Sequence, residues 1–393
     1  MKVLLYIFAL SYSSWTVAYE VTGNITFEYR YFTSDALSTT QHDQVASVAL
    51  QPEWFHQWDG GNQSLVFAPF VRWDQYDSKR RHVDIRELTW LMAAEDWEFR
   101  AGIRKVFWGV TESQHLVDII NQTDLVENLD GEDKLGQPMF NLSLIRDWGT
   151  VDLFVLPYFR ERTFPGAEGR PRTSLIIDTD QASYQSTDKE HHIDYALRWQ
   201  HTLGDWDVGL SHFYGTSRDP ILNSGIDGSG NPVLVPFYEL IHQTGIDVQA
   251  TLNNWLWKLE VIRRKGQAGS YVAATGGLEY TFYGINDSSV DAGLVVEYLY
   301  DDRGSKATTP FQDDLMLGLR LTLNDVVSSE ALIGIITDQD SDAKALSIEA
   351  SRRFGNQVKF SVEARSYTDL PMDDLLYAYR NDDYIQVELG YYF

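Results

Sequence analysis

Apolar and polar residues alternate over many short stretches of this 393-residue chain. The C-terminal stretch shows the pattern without a break, since Ile385, Val387, Leu389, Tyr391 and Phe393 alternate with polar, small or aromatic residues. Side chains of a β-strand point alternately to its two faces, so these five share one face. A terminal strand of a soluble domain would alternate in the same way, so the rest of the chain has to distinguish a soluble from a membrane protein.

The same alternation recurs in segments of about ten residues that are bounded by turn residues, the pattern of strands in a membrane barrel. We predict eighteen strands, or sixteen if one pair is misassigned. The predicted segments are 21–32, 45–54, 64–73, 83–91, 97–108, 139–148, 151–159, 193–202, 206–214, 237–252, 255–264, 271–283, 290–300, 314–323, 330–337, 344–354, 358–367 and 384–393.

The connections between these segments are sorted by length. The even-numbered ones are tight turns rich in Gly, Asn and Asp, which suit hairpins. Several odd-numbered ones are long and polar, namely 34–43, 109–138, 160–192, 216–236 and 301–313. A barrel with both termini at the same end requires this sorting, and a soluble sandwich does not.

The apolar faces carry almost no charge. In segment 314–323 a leucine occupies every second position from Leu315 to Leu323, opposite Asp314 and Arg320. A basic residue on a lipid-facing position costs about 2 to 4 kcal/mol at mid-bilayer, which explains the segregation. The fold class predicted for residues 19–393 is therefore all-β, a transmembrane antiparallel up-and-down barrel of about 18 strands.

The N-terminus predicts export. Met1 and Lys2 precede an apolar stretch over 3–10, and small residues around Ala18 suit cleavage, so residues 1–18 are predicted to be a signal peptide. No later stretch approaches 18 consecutive apolar residues, which excludes a helical membrane protein. The mean hydropathy of -0.30 agrees with a barrel, in which only alternate residues face lipid.

Composition excludes several classes of chemistry. The chain has no cysteine, so it can form neither a disulfide nor a thiolate metal site. Its 32 basic and 57 acidic residues give a net charge of -25, which argues against nucleic acid as a partner. His191 and His192 beside Asp194 are the only local cluster with catalytic residue types, and residues 338–342 lack the glycine and distal glutamate of a calcium loop. We predict no enzyme, no cofactor and no metal site.

The export signal, the alternating segments, the sorted loops and the terminal Tyr391-Tyr392-Phe393 together resemble the porin-type outer-membrane channels of Gram-negative bacteria. The resemblance implies an outer-membrane location, contact with lipid and lipopolysaccharide, and a possible homotrimer. It also implies that the assembly machinery of the outer membrane reads Tyr391 and Phe393.

In porin-type channels a long loop after the fifth strand folds into the lumen. The corresponding segment here, 109–138, carries Leu116, Val117, Ile120 and Leu125 at near-helical spacing, which predicts a short helix against the wall. Its acidic residues would line a constriction: Asp118, Asp124, Glu127, Asp130, Glu132 and Asp133. The alternative is a solvated extracellular loop.

Strand parity places a stripe of arginines on the lumen side of the early segments: Arg30, Arg72, Arg86, Arg100 and Arg104. An acidic loop facing this stripe would produce a transverse field, as in general porins. Alternatively, the arginines pair with Glu28, Asp84 and Glu98 on their own wall. The lumen as a whole leans acidic, which predicts a weak cation preference.

A second long loop, 160–192, carries four arginines that are expected either to bind anions or to be solvated: Arg160, Arg162, Arg170 and Arg172. The predicted function is passive diffusion of small hydrophilic solutes. The alternative is an occluded structural barrel whose long loops bind a partner or polysaccharide.

Overall fold

The computed structural model describes residues 19–266 and 269–393, so the predicted signal peptide lies outside the described residues. The described residues form 21 strands. They are β1 (Tyr19–Phe32), β2 (Gln44–Trp58), β3 (Gln63–Asp74), β4 (His82–Ala93), β5 (Trp97–Arg104), β6 (Gln137–Arg146), β7 (Gly149–Leu156), β8 (Ser183–Tyr184), β9 (Asp194–Leu203), β10 (Trp206–Thr216), β11 (Ile221–Ile226), β12 (Pro232–Tyr238), β13 (Leu240–Leu252), β14 (Trp255–Gly266), β15 (Gly269–Phe282), β16 (Asp291–Asp301), β17 (Asp313–Thr322), β18 (Glu330–Asp338), β19 (Lys344–Phe354), β20 (Val358–Thr368) and β21 (Tyr384–Tyr392).

Eighteen of these strands form one closed antiparallel barrel. Each barrel strand pairs with the next along the chain, and β21 pairs with β1 to close the ring, with Leu389 opposite Phe27. The remaining three strands, β8, β11 and β12, form a small separate sheet in the long connections. The predicted fold class is confirmed, and the strand count is 18 rather than 16.

The period-two pattern explains the two surfaces of the wall. Leu294 and Leu317 on the outer face are 47% and 45% exposed, whereas Glu297 on the inner face is fully buried. Phe393 follows the last strand, and its backbone exchanges two hydrogen bonds with Gly23 of β1. The C-terminal residues therefore belong to the seam that closes the barrel.

The connections are sorted by length as expected. Turns such as 253–254, where Asn253 has a φ of 57°, lie at one end. The long connections 105–136, 157–193 and 217–239 lie at the other, together with 369–383, which contains a short 3-10 helix at Leu375–Tyr379. Within residues 19–266 and 269–393, no helix is long and apolar enough to cross a membrane.

Several strand boundaries differ from the prediction, and those of β5 and β13 show why. Strand β5 ends at Arg104 rather than at Trp108, because Trp108 turns into the barrel, where its ring packs against that of Phe154 within a buried apolar cluster. Strand β13 begins at Leu240, and the preceding residues Pro232–Tyr238 pair with Ile221–Ile226 in the small sheet. In both places alternation continues past the point where the chain leaves the wall.

Candidate functional site

The connection between β5 and β6, residues 105–136, lies inside the barrel and is called the inner loop here. Val117, Ile120, Gln122 and Asp124 in this loop are fully buried. The inner wall beneath it carries apolar side chains from β6 to β15, including Phe154, Phe213 and Ile262 on the lumen side. Covering this apolar patch removes it from water, which favours the inward path of the loop.

Two wall carboxylates hold the first part of the inner loop. Glu260 of β14 accepts hydrogen bonds from the amides of Val110 (2.7 Å), Thr111 (3.0 Å) and Val117 (3.1 Å). Glu297 of β16 accepts the amide and hydroxyl of Ser113 at 2.9 Å and 2.6 Å. Both carboxylates are fully buried, so they serve as anchors for backbone N–H groups rather than as open lumen charges.

The approach of the loop to this wall is close. Gly109 has a φ of 146°, and a Cβ there would lie 3.1 Å from the Glu260 carboxylate and 3.0 Å from the His115 ring. Burial alone would lower the pKa of His115, but the carboxylates of Glu132, at 2.9 Å, and Glu260, at 3.9 Å, raise the pKa to about 10. His115 therefore adds a positive charge between the loop and the wall at neutral pH.

The middle of the inner loop pairs with two arginines of the predicted stripe. Arg72 lies 2.6 Å from Glu127, and Arg86 lies 2.7 Å from Asp124. The same arginines also contact Glu28 and Asp84 on their own wall, each at 3.1 Å. Arg72 and Arg86 therefore contact both the inner loop and their own wall, in buried ion pairs rather than as charges facing each other across water.

The other three stripe arginines do not contact the acidic residues of the inner loop in the described structure. Arg30 donates to Gln386 at 2.7 Å, and Arg104 donates to Asn141 at 2.9 Å. Arg100 pairs with Glu98 on the same strand. These side chains satisfy polar groups of the wall, as the alternative interpretation predicted for Arg100.

Sequence reasoning missed Arg80, which is central to this charge cluster. Arg80 binds both oxygens of the Glu28 carboxylate at 2.7 Å and 2.8 Å and donates to the carbonyl of Val126 in the inner loop at 2.7 Å. Burial alone would lower the pKa of the Arg80 guanidinium, but the nearby Glu28 carboxylate raises it. Arg80 precedes β4, so strand parity assigned it no direction.

The remaining acidic residues of the inner loop have separate partners. Asp118 pairs with Lys134 at 3.1 Å, and Glu132 pairs with His115 at 2.9 Å. Asp130 lies 3.5 Å from Arg365 of β20. Partial desolvation inside the barrel, together with Glu127 and Asp130, raises the pKa of Asp133 to about 7.

The predicted helix in this loop is wrong. The segment forms turns and two isolated β-bridges, Thr123 with Lys134 and Asp124 with Thr163. The backbone amides that a helix would pair internally go instead to the wall carboxylates Glu260 and Glu297. The near-helical spacing of Leu116, Val117 and Ile120 reflects burial against the wall by an irregular chain.

An acidic cavity of about 330 Å³ remains between the inner loop and the wall from β17 to β21. Its carboxylates outnumber its basic groups, which are Arg320 and Lys359. The acidic lining residues are Glu112, Asp130, Glu330, Glu349, Glu363 and Glu388. A second cavity, toward the long loops, also borders Asp130 and is lined by Arg264 and Tyr271.

The connection 157–193, called the outer loop here, reaches across to β1 and to the connections that precede β2 and β21. Arg170 is completely buried and contacts Asp43 at 2.6 Å and Asp382 at 2.7 Å. Arg160 pairs with Asp84, and Arg162 pairs with Asp219. The expectation that these arginines are solvated is wrong for all three; the fourth, Arg172, donates to the carbonyls of Thr173 and Ser174.

The two local motifs form hydrogen-bonded elements of the fold. His192 lies 2.8 Å from Asp194, whose other oxygen accepts from Arg218 at 2.9 Å. In the 338–342 turn, Asp338 accepts the amides of Asp340 and Ser341 at 2.6 Å and 2.9 Å. The second arrangement is the polar turn that the sequence favoured over a calcium loop.

The closed ring of 18 strands and the loop inside it settle the architecture. The fold is a closed antiparallel β-barrel with one connection folded inside it. No known protein family and no curated protein matches the chain. Among solved structures, it is similar to a variant of Rh. blastica porin (13% identity, TM-score 0.45) and to a triple mutant of Rhodopseudomonas blastica porin (12%, 0.44). Each alignment covers 96% of this chain and 100% of the other.

Proposed function

We propose that the protein is an outer-membrane channel for passive diffusion of small hydrophilic solutes, narrowed by the inner loop. The observation that carries the proposal is that Asp130 borders two lumen cavities, one toward the long loops and one along β17 to β21. A solute would pass this carboxylate on its way through the barrel. A barrel this wide leaves a lumen unless something fills it, and the inner loop occupies only part of it.

The charge of the cavity supports a weak preference for cations. In this proposal Arg72 and Arg86 fix the inner loop, and the groups left facing the solute are mainly carboxylates. Arg320 and Lys359 interrupt them, so the field is mixed rather than uniformly negative. Small cations and polar neutral solutes fit this lining better than multivalent anions do.

Single-channel recording in planar bilayers tests the proposal. We expect discrete conductance steps and a reversal potential that favours cations over chloride. Replacement D130N should reduce the cation preference, whereas E95Q, in an exposed short turn away from the cavities, should leave it unchanged. An absence of discrete steps from folded protein would contradict a channel function.

A second candidate function rests on the outer loop. Because Arg170 is fully buried between Asp43 and Asp382, the outer loop is fastened across the long-loop end of the barrel. In this alternative the barrel is occluded, and its outer surface binds a partner or polysaccharide. R170Q distinguishes the two: conductance that appears only in R170Q supports occlusion, and conductance in the unmodified protein supports diffusion.

The location and partners belong to the same proposal. An outer face of exposed apolar side chains suits lipid, and the barrel would contact lipopolysaccharide on its long-loop side. Cross-linking of protein extracted in mild detergent tests the homotrimer. Fractionation of a Gram-negative host, with antibody detection in the outer membrane, tests the location.

A further inference from the structure

Three side chains with metal-ligating atoms meet where the inner loop contacts the start of β4. His82 Nε2 lies 3.7 Å from Asp124 Oδ2 and 3.5 Å from Glu127 Oε1. These separations are too long for hydrogen bonds. Ligand atoms around a tetrahedral zinc ion with bonds of about 2.0 to 2.2 Å lie about 3.3 to 3.6 Å apart, so the separation from Glu127 falls within this range and that from Asp124 lies just above it. All three candidate ligand atoms lie within 4.8 Å of one another.

The hydrogen bonding of His82 fixes which ring nitrogen faces the carboxylates. Its Nδ1 lies 3.1 Å from the carbonyl oxygen of Arg80, which can only accept, so Nδ1 carries a proton. In the neutral ring, Nε2 then presents a lone pair to two carboxylate oxygens. This nitrogen is buried and has no hydrogen-bond partner. Such an arrangement is repulsive unless Nε2 carries a proton or a cation lies between the three groups.

The surroundings hold these groups in place. Arg86 contacts Asp124 Oδ2 at 2.7 Å, and Arg72 Nε donates to Glu127 Oε1 at 3.0 Å. A carboxylate oxygen has more than one acceptor site, so each can bind an arginine and a metal ion together. The ring of His82 also packs near Phe70 at a centroid distance of 5.4 Å. An outer shell that orients histidine and carboxylate ligands in this way is usual at metal sites.

We propose that His82, Asp124 and Glu127 bind a divalent transition-metal ion, of which Zn²⁺ is the test case. The sequence alone predicts no metal site, because these ligands come from two segments separated by about 40 residues. One ligand lies on the wall and two lie on the inner loop, so a bound ion would fasten the loop to β4. The proposal does not depend on whether the barrel conducts solutes.

A proton on Nε2 would relieve the same repulsion, so the experiment must distinguish a metal ion from a proton. We expect chelator-treated, folded protein in detergent to bind one Zn²⁺ in calorimetric titration at pH 7.5. H82Q should weaken binding by more than about 100-fold, since loss of an outer-shell partner alone costs about 10- to 100-fold. The matched control is H191Q, whose side chain is 71% exposed and lies in the outer loop.

X-ray absorption of the zinc-loaded protein supplies a second readout that needs no variant. We expect one imidazole nitrogen and carboxylate oxygens at about 2.0 to 2.2 Å. If H82Q does not fold, E127Q is the alternative variant, because it keeps the size of the side chain. E127Q should also weaken zinc binding. The proposal is overturned if the protein binds no Zn²⁺, if H82Q binds it as tightly as the unmodified protein, or if H191Q loses it equally.

Discussion

Thr111 of the inner loop donates to the Glu260 carboxylate of β14 through both its amide (3.0 Å) and its hydroxyl (2.8 Å), although the two residues are 149 positions apart. The amides of Val110 and Val117 add two further bonds to the same carboxylate. Glu260 is fully buried, so water cannot replace a lost partner. This carboxylate is therefore a main attachment between the inner loop and the wall.

E260Q should loosen the inner loop. Glutamine keeps the size of the side chain but turns an NH₂ group toward a loop amide that needs an acceptor. Hydrogen bonds to charged groups contribute about 1.5 to 3 kcal/mol each, so the attachment should weaken by about 2 kcal/mol or more. We expect a larger and noisier single-channel conductance. E95Q is the control, and identical conductance distributions for E260Q and the unmodified protein would contradict the anchoring role.

The buried pair of Arg72 and Glu127 should be costly to break on one side only. Both side chains are less than a tenth exposed, and loss of one partner of such a pair costs about 3 to 5 kcal/mol. We therefore expect R72M to lower the free energy of unfolding by that amount and R72M/E127M to recover part of it. Urea unfolding in lipid vesicles measures both.

The control for that cycle is R146M, which removes a largely exposed pair with Asp96 at 3.2 Å. Exposed pairs contribute about 0 to 1 kcal/mol, so R146M should change the free energy of unfolding little. If R72M and R146M lower the free energy of unfolding equally, burial does not determine the strength of these ion pairs.

The strands were predictable because alternation and turn residues are local properties of the sequence. Parity also identified the inner faces correctly, so Glu260, Glu297 and Arg72 were all expected to point inward. Their partners were not predictable. Glu260 binds the backbone amides of Val110 and Thr111, and backbone amides occur at almost every position of any sequence, so they give no signal. Parity assigns a face to a side chain and says nothing about which distant segment reaches it.

The inner loop shows the same limit. Leu116, Val117 and Ile120 have helical spacing, but a helix must satisfy its own amides, and here Glu260 accepts the amide of Val117. Arg80 and Arg170 lie in connections, where no periodicity predicts a direction, yet both are buried in ion pairs. Long-range pairing of charged groups therefore determines the paths of the long connections, which the alternation of apolar and polar residues does not predict.

Cation preference should fall as the pH falls from 8 to 5. Partial desolvation in the lumen raises the pKa of Asp130 to about 6, with Glu363 adding to the shift, so Asp130 loses its charge within this range. Asp133 has a pKa of about 7, raised by desolvation and by Glu127 and Asp130. Reversal potentials in a salt gradient at each pH provide the measurement.

The contribution of Asp133 to stability depends on pH in the opposite direction to that of a salt-bridged carboxylate. Between its ordinary pKa of 3.8 and about 7, Asp133 holds more protons in the folded than in the unfolded chain. Its contribution to stability therefore decreases as the pH rises through this window. D133N should remove that part of the pH dependence of stability.

For ion selectivity the test is D130N. If its selectivity still changes between pH 8 and 5 as in the unmodified protein, the assignment to Asp130 is contradicted.

The C-terminal residue should matter for assembly more than for transport. Phe393 exchanges two backbone hydrogen bonds with Gly23 at the seam between β21 and β1, and its ring is 45% exposed on the outer face, as is that of Tyr391. F393S keeps the backbone bonds and removes the ring. We expect a severalfold loss of folded protein in the outer membrane and an unchanged single-channel conductance for the fraction that assembles. Y283S removes another exposed ring in a short turn, so an equal loss there would contradict a specific C-terminal signal.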